Sequence, residues 1–373
     1  MRYVDEFRNP KDARRLVECI RARVTRPRTL MEVCGGQTHS LLRHGIDEEL
    51  RGCVELIHGP GCPVCVTPQW AIDHAIELAQ QPGVILTSFG DMLRVPGSRM
   101  SLLAARAAGA QVLPVYSPLD AVALARKRPS ETVVFFAVGF ETTAPATALA
   151  VLQADQLGLK NFLLLVSHVR VQPAMELLAS DPASSVEGFL AAGHVCTVMG
   201  YASYEPFVEK YRKPVVVTGF EPTDLLEGIL DCVDQLERGD AGVRNRYGRA
   251  VRPEGNLAAR ELVERVYEPW DLEWRGLGVI PQGGFRLREP WRRFDAAVRW
   301  PNVAVDLRRA DDPNSTEATE ACPAGEVLAG RLKPPDCPHF GKSCVPESPL
   351  GAPMVSAEGA CAAYYRYGAG QTR

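Results

Sequence analysis

The sequence predicts an α/β protein: two small parallel-sheet α/β domains and a third part rich in helices and loops. Three observations lead there. From Thr29 onward, short apolar runs, Gly-rich turns and helical patterns alternate. The apolar runs are continuous, which marks strands covered on both faces, as in parallel sheets. Toward the C-terminus the alternation stops, and Pro313 to Pro353 holds eight prolines in 41 residues. That density rules out long helices and central strands. The 373 residues, 46% hydrophobic and 23% charged, suffice for two or three domains with cores of their own.

The elements follow in order. Asn9 suits a helix N-cap and Pro10 the first helical position, and Leu16, Val17, Ile20 and Val24 form one apolar stripe. Cys19 lies beside that stripe and is expected in the core. Strands are expected at Leu30–Val33, Val54–Ile57, Val84–Thr87, Val112–Val115, Val133–Val138, Phe162–Val166, Val195–Met199 and Val215–Thr218. Helices are expected from cap Thr67 through Pro68 to Ala79, from cap Ser117 to Arg126, from Ala144 to Gln156 and from Asp224 to Leu236. Arg238 to Arg252 is basic and Gly-containing and reads as an exposed linker; Leu257 to Tyr267 reads as a helix.

Three strand ends share Gly, Phe and a carboxylate: Ser88-Phe89-Gly90-Asp91, Val138-Gly139-Phe140-Glu141 and Thr218-Gly219-Phe220-Glu221. The recurrence favours two sheets over one and a split near Ser117. The expected domains are therefore 28–117, 118–221, and a helical and loop domain made of 1–27 with 222–373.

Charge excludes several functions. The 42 basic and 45 acidic residues, net −3, are mixed along the chain, with no basic groove for nucleic acid and no polybasic membrane patch. The longest apolar run, Val133 to Phe140, is far short of a membrane span. The N-terminal residues show no signal-peptide pattern, so the expected compartment is the cytoplasm.

Eleven cysteines remain to be explained. In a reducing compartment, metal binding or thiol chemistry is favoured over a disulfide framework. Cys34-Gly35-Gly36-Gln37-Thr38-His39 follows a strand directly, where open α/β sheets bind ligands. A thiol and an imidazole so close suit a soft or borderline metal. Gly59-Pro60-Gly61-Cys62-Pro63-Val64-Cys65-Val66-Thr67-Pro68 also runs from strand to helix, and its Cys-x-x-Cys is a redox dithiol or half a metal site. His58 upstream fits either a supporting or a purely structural role. If both turns share one sheet edge, Cys34, Cys62 and Cys65 converge on an open site. Gly139-Phe140-Glu141-Thr142-Thr143-Ala144-Pro145 is a third such turn, with Thr143 as cap; Glu141, expected to be solvated, and the Thr142 and Thr143 hydroxyls either face a ligand or belong to a capped turn with no ligand role. Cys322, Cys337, Cys344 and Cys361 sit in or beside the Pro-rich stretch, without the tight pairs usual for zinc; an iron–sulfur cluster, zinc or neither fits their spacing.

Together these motifs resemble the HypD family of [NiFe] hydrogenase maturation factors, over nearly the whole chain. The resemblance implies a metallocofactor assembly scaffold that, with the small chaperone HypC, binds iron and builds its Fe(CN)2CO moiety, with HypE delivering cyanide. By motif match, Cys34 would share iron with a HypC cysteine, and Cys62 and Cys65 would be iron ligands or a redox dithiol nearby. Cys322, Cys337, Cys344 and Cys361 would hold a [4Fe-4S] cluster, making the third part an iron–sulfur domain. Cys34, Cys62, Cys65 and Glu141 are the candidate catalytic residues. The rival reading is an iron–sulfur-dependent thiol–disulfide oxidoreductase working through Cys62 and Cys65.

Overall fold

A computed structural model describes residues 5–301 and 322–368. It is an α/β structure with two separate parallel sheets. The first has strand order β2-β1-β7-β8-β9, formed by β1 (Arg28–Glu32), β2 (Val54–His58), β7 (Gly188–Ala192), β8 (Val215–Thr218) and β9 (Val243–Asn245). The second has order β4-β3-β5-β6, formed by β3 (Val84–Ser88), β4 (Val112–Pro114), β5 (Thr132–Gly139) and β6 (Phe162–His168). All pairs within both sheets are parallel. An antiparallel hairpin, β10 (Tyr267–Trp274) with β11 (Gly278–Leu287), completes the strands among the described residues.

Both sheets are covered on two faces, which is why their strands read as unbroken apolar runs. In the first, Leu30, Leu56, Leu190 and Val216 pack under helices Pro10–Arg23 and Pro222–Arg238, through Val17, Ile20, Leu226 and Ile229. Its other face buries Met31, Phe189 and Val217 with Val171 and Phe207. In the second sheet, Phe135, Phe162 and Leu164 meet Tyr267 and Phe285 of the hairpin, while Leu86, Val134 and Phe136 meet Ile72 and Leu102 on the opposite face.

The grouping of strands on either side of residue 117 is corrected by the pairing. The chain lays down β1 and β2, builds the whole second sheet, and returns to the first for β7, β8 and β9. β3 bonds to β5, with Val84 opposite Thr132 and Leu86 opposite Val134, so a cut at 117 would divide one sheet. The recurring Gly/Phe/carboxylate ends therefore mark a shared location at strand carboxyl ends rather than repeated domains.

Other local readings shift as well. Val195–Met199 is helical, within Gly193–Met199, and the strand lies upstream at Gly188–Ala192. Gly193 marks the changeover, since a Cβ there would meet Thr218 O at 2.3 Å. Thr67 does not start a helix; its hydroxyl donates to Pro63 O, closing the short helix Pro63–Val66, and Pro68 precedes helix Gln69–Ala79. Thr143 precedes helix Ala144–Gln156 without a side-chain cap bond. The expected linker contains strand β9. Cys19 is exposed rather than in the core. Asn9 accepts from Lys11 N and Ser117 caps its helix, both as expected, and Asp120 adds the second half of a capping box with Ser117. The first residues of the Pro-rich stretch, 313–321, lie outside the described residues.

Candidate functional site

The carboxyl ends of strands from both sheets open onto one crevice of about 520 Å³. Cys34, after β1, shares it with Gly61, after β2, with Asp91 and Phe140 from the second sheet, and with His194 after β7. Glu358, from the C-terminal part, lines it as well. In open α/β folds this is the face on which ligands bind.

The position of Cys34 is set by its neighbours. It precedes helix Gly35–Arg43 in extended conformation, and its backbone N–H donates to Glu32 Oε2 at 2.8 Å. Glu32 is fully buried. Its other oxygen accepts from the Thr38 hydroxyl and, at 2.9 Å, from His58 Nδ1. One carboxylate thus ties the end of β1 to the end of β2 and to the next helix. Gly61 lies so close that a Cβ would meet Cys34 N at 2.3 Å, and a Cβ on Gly35 would meet Glu358 Cβ at 2.3 Å. The half-buried Cys34 thiol is pushed up to about 12 by burial first, then by Glu32 and Glu358, against the pull of the Gly36 and Gln37 N–H groups. Such a thiol stays protonated until a cation replaces the proton.

Cys62 and Cys65 form a disulfide, buried in the turn and short helix that follow β2. Cys62 Sγ accepts from Cys65 N at 3.1 Å. Cys65 Sγ lies 3.9 Å from Ala352 O, so the pair touches the cysteine-rich C-terminal part on its far side.

Glu141 is buried, not solvated. Its Oε1 accepts from Val171 N at 3.0 Å, at the start of helix Val171–Ser180, and burial raises its carboxyl to about 7. It does not line the crevice, whereas Thr142 and Thr143 of the same turn do. His39 does not join Cys34; its ring meets Tyr367 edge-on, with Nε2 3.3 Å from the Tyr367 hydroxyl. His168 is buried, with Nε2 2.9 Å from the Thr147 hydroxyl, and burial holds it down at about 4. Glu221 is drawn to Arg8 and caps helix Pro222–Arg238.

The four late cysteines share one small apolar cavity with Leu350 and Met354. Cys361 is pushed up by burial and then by Cys322, Cys344 and Cys337. Leu350 N donates to Cys344 Sγ at 3.4 Å. Among the described residues, no three His, Cys, Asp or Glu side chains are drawn together tightly enough to hold a metal ion.

Comparison with known proteins bears directly on this arrangement. The family described as "HypD: Hydrogenase formation hypA family" matches residues 11–368. The chain belongs to the HypD family. The hydrogenase maturation factor HypD of Azotobacter vinelandii is 48% identical over 99% of this chain and 97% of its own length. The corresponding factor of Rhodobacter capsulatus is 46% identical over 99% and 98%, and that of Escherichia coli 44% identical over 98% and 98%. The chain is accordingly a hydrogenase maturation factor of that family.

Within this HypD-family chain, three crevice features escape a reading of the sequence. Glu32 sits in a strand run and carries no motif signal, yet it holds Cys34 in place. Glu358 comes from the far end of the chain and is brought in only by tertiary packing. His194 has no chemical partner nearby in sequence, and strand β7 carries it to the crevice. No helix among the described residues is long and apolar enough to cross a membrane.

Proposed function

We propose that this chain is the scaffold on which, together with HypC, iron is bound and given its two cyanides and one carbon monoxide for [NiFe] hydrogenase, with cyanide arriving from HypE. The observation that carries this reading is Cys34 lining the crevice where both sheets end, its backbone held there by buried Glu32. A thiolate suits low-spin iron, and its electron density strengthens iron's bonds to cyanide and carbon monoxide. One coordinating thiol leaves the iron open to a cysteine from HypC and to incoming ligands. Glu32 and Gly61 fix the backbone that carries that thiol.

Cys322, Cys337, Cys344 and Cys361 fit a [4Fe-4S] cluster by donor chemistry: four thiols on one apolar cavity, with a backbone N–H directed at one sulfur. When bound, such a cluster supplies single electrons. Metal ligation there also orders a Pro-rich segment with little regular structure. The Cys62–Cys65 disulfide supports a second reading, thiol–disulfide exchange, since the pair lies between crevice and cysteine-rich part. The chain acts in the cytoplasm in either reading.

Infrared spectroscopy of anaerobically purified protein with HypC separates the two. Metal-bound cyanide and carbon monoxide stretches are expected. Their absence, together with a Cys62–Cys65 couple that titrates and turns over disulfide substrates, would favour the oxidoreductase.

A further inference from the structure

The crevice holds few side chains able to donate a hydrogen bond. Its carboxylates, Asp91 and Glu358, are acceptors when ionised and repel an anion. Ser356 Oγ is engaged, donating to Asp91 Oδ2 at 3.2 Å. Thr143 Oγ1 donates to Phe140 O at 3.1 Å. Two donors remain: the Thr142 hydroxyl and the His194 ring line the crevice, and no hydrogen bond within the described residues engages either. His194 is fixed as a rigid plane. Its ring stacks on Phe220 at 3.9 Å between centroids and 28° between planes, and Phe220 in turn meets Tyr247 edge-on. Phe220 also lies against Gly36, where a Cβ would meet its ring at 3.0 Å, so the stack is registered to the Cys34 turn. Burial lowers the His194 imidazole below its usual value and keeps it neutral, with one N–H to offer.

A metal-bound cyanide exposes a nitrogen lone pair with partial negative charge and needs a donor when buried. The oxygen of metal-bound carbon monoxide is a weak acceptor and tolerates an apolar wall, which Phe89, Met92, Val138 and Phe140 provide. We propose that His194 and Thr142 are the two cyanide-holding donors of the crevice, one for each cyanide nitrogen, with carbon monoxide left to the apolar wall. The assignment rests on the scaffold reading above. It gives the crevice a means of sorting diatomic ligands: cyanides are held by an imidazole N–H and a hydroxyl, and carbon monoxide is held by neither.

The test uses the full chain purified with HypC without oxygen, as His194→Phe, which keeps the stack on Phe220 and removes the N–H, and as Thr142→Val, which keeps the shape and removes the O–H. Each variant should keep its iron per chain and its carbon monoxide band while shifting a different cyanide band, and the double variant should shift both. His194→Gln, which restores an N–H donor, should move its band back toward the wild-type position. Cyanide bands unmoved in both variants, with normal iron, would overturn the assignment alone. Loss of all iron from a variant whose thermal unfolding is unchanged would also overturn it, by making that residue an iron-loading group. If the wild type itself shows no cyanide bands, the scaffold reading fails and takes this inference with it.

Discussion

Glu32 and Glu141 are both buried carboxyls, yet their surroundings give them opposite work. Glu32 accepts from the Cys34 N–H, the Thr38 hydroxyl and His58 Nδ1, so both its oxygens are engaged and the turn is locked. Glu32→Leu leaves three donors without an acceptor and should cost at least about 2 kcal/mol, read as a fall in the denaturant midpoint. Glu141 has one bond, from Val171 N, and its Oε2 has none. Its folded carboxyl, at about 7, lies above the ordinary carboxyl value of 4.5. A group raised on folding contributes its full stability below the unfolded value and loses it as pH rises through the folded one. The wild type should therefore lose on the order of 2–3 kcal/mol between about pH 4.5 and pH 7 that Glu141→Gln does not lose. Unfolding of both proteins across that range checks this, and parallel curves would contradict it.

At the scale of elements, the strand-to-helix turns determine the site. Gly61 passes within a Cβ's reach of the Cys34 backbone, so Gly61→Ala should push the two turns apart. The expected cost is about 2 kcal/mol or more, with Cys34 displaced from the crevice. Normal stability and normal iron content in Gly61→Ala would show that the turns are not coupled. In the cysteine-rich part, Cys337→Ala or Cys344→Ala should abolish iron–sulfur absorption and loosen the loops around it, since ligation there is folding free energy. A full spectrum in the double variant would contradict that ligand set. The sequence made these turns legible because they are local: Cys34-Gly35-Gly36 and Gly61-Cys62-Pro63 show their chemistry in a few residues. β9 and the β10–β11 hairpin were not legible. β9 is three residues long, and the hairpin carries Pro269, Pro281 and several glycines that look like loop. Its strand identity comes from packing Tyr267 and Phe285 onto the second sheet. Gly188–Ala192 was missed for a related reason, since Val195 and Val198 nearby offer a stronger β-branched run.

The molecule as a whole shows the limits of reading domains along a chain. Most strands of the two parallel sheets were legible from apolar runs, but their partition was not, because pairing between β1 and β7 joins residues more than 150 positions apart. A fragment 28–117 should accordingly fail to fold, since it holds β3 and β4 without β5, and β1 without β7. Circular dichroism and dispersion of its amide resonances would show this, and a cooperative unfolding transition would contradict the interleaved sheets. The same interleaving brings Cys34 and His194 to one crevice, and the C-terminal part adds Glu358. It also places the four late cysteines in a cavity of their own, apart from the Cys34 crevice. In the proposed function, Cys34 is the point at which iron is held. The most direct test is the infrared spectrum and iron content of Cys34→Ala, purified with HypC without oxygen beside the wild type. A folded variant is expected, with iron–sulfur absorption intact and with the cyanide and carbon monoxide bands gone. Unchanged bands in that variant would contradict it and move the iron to Cys62 and Cys65.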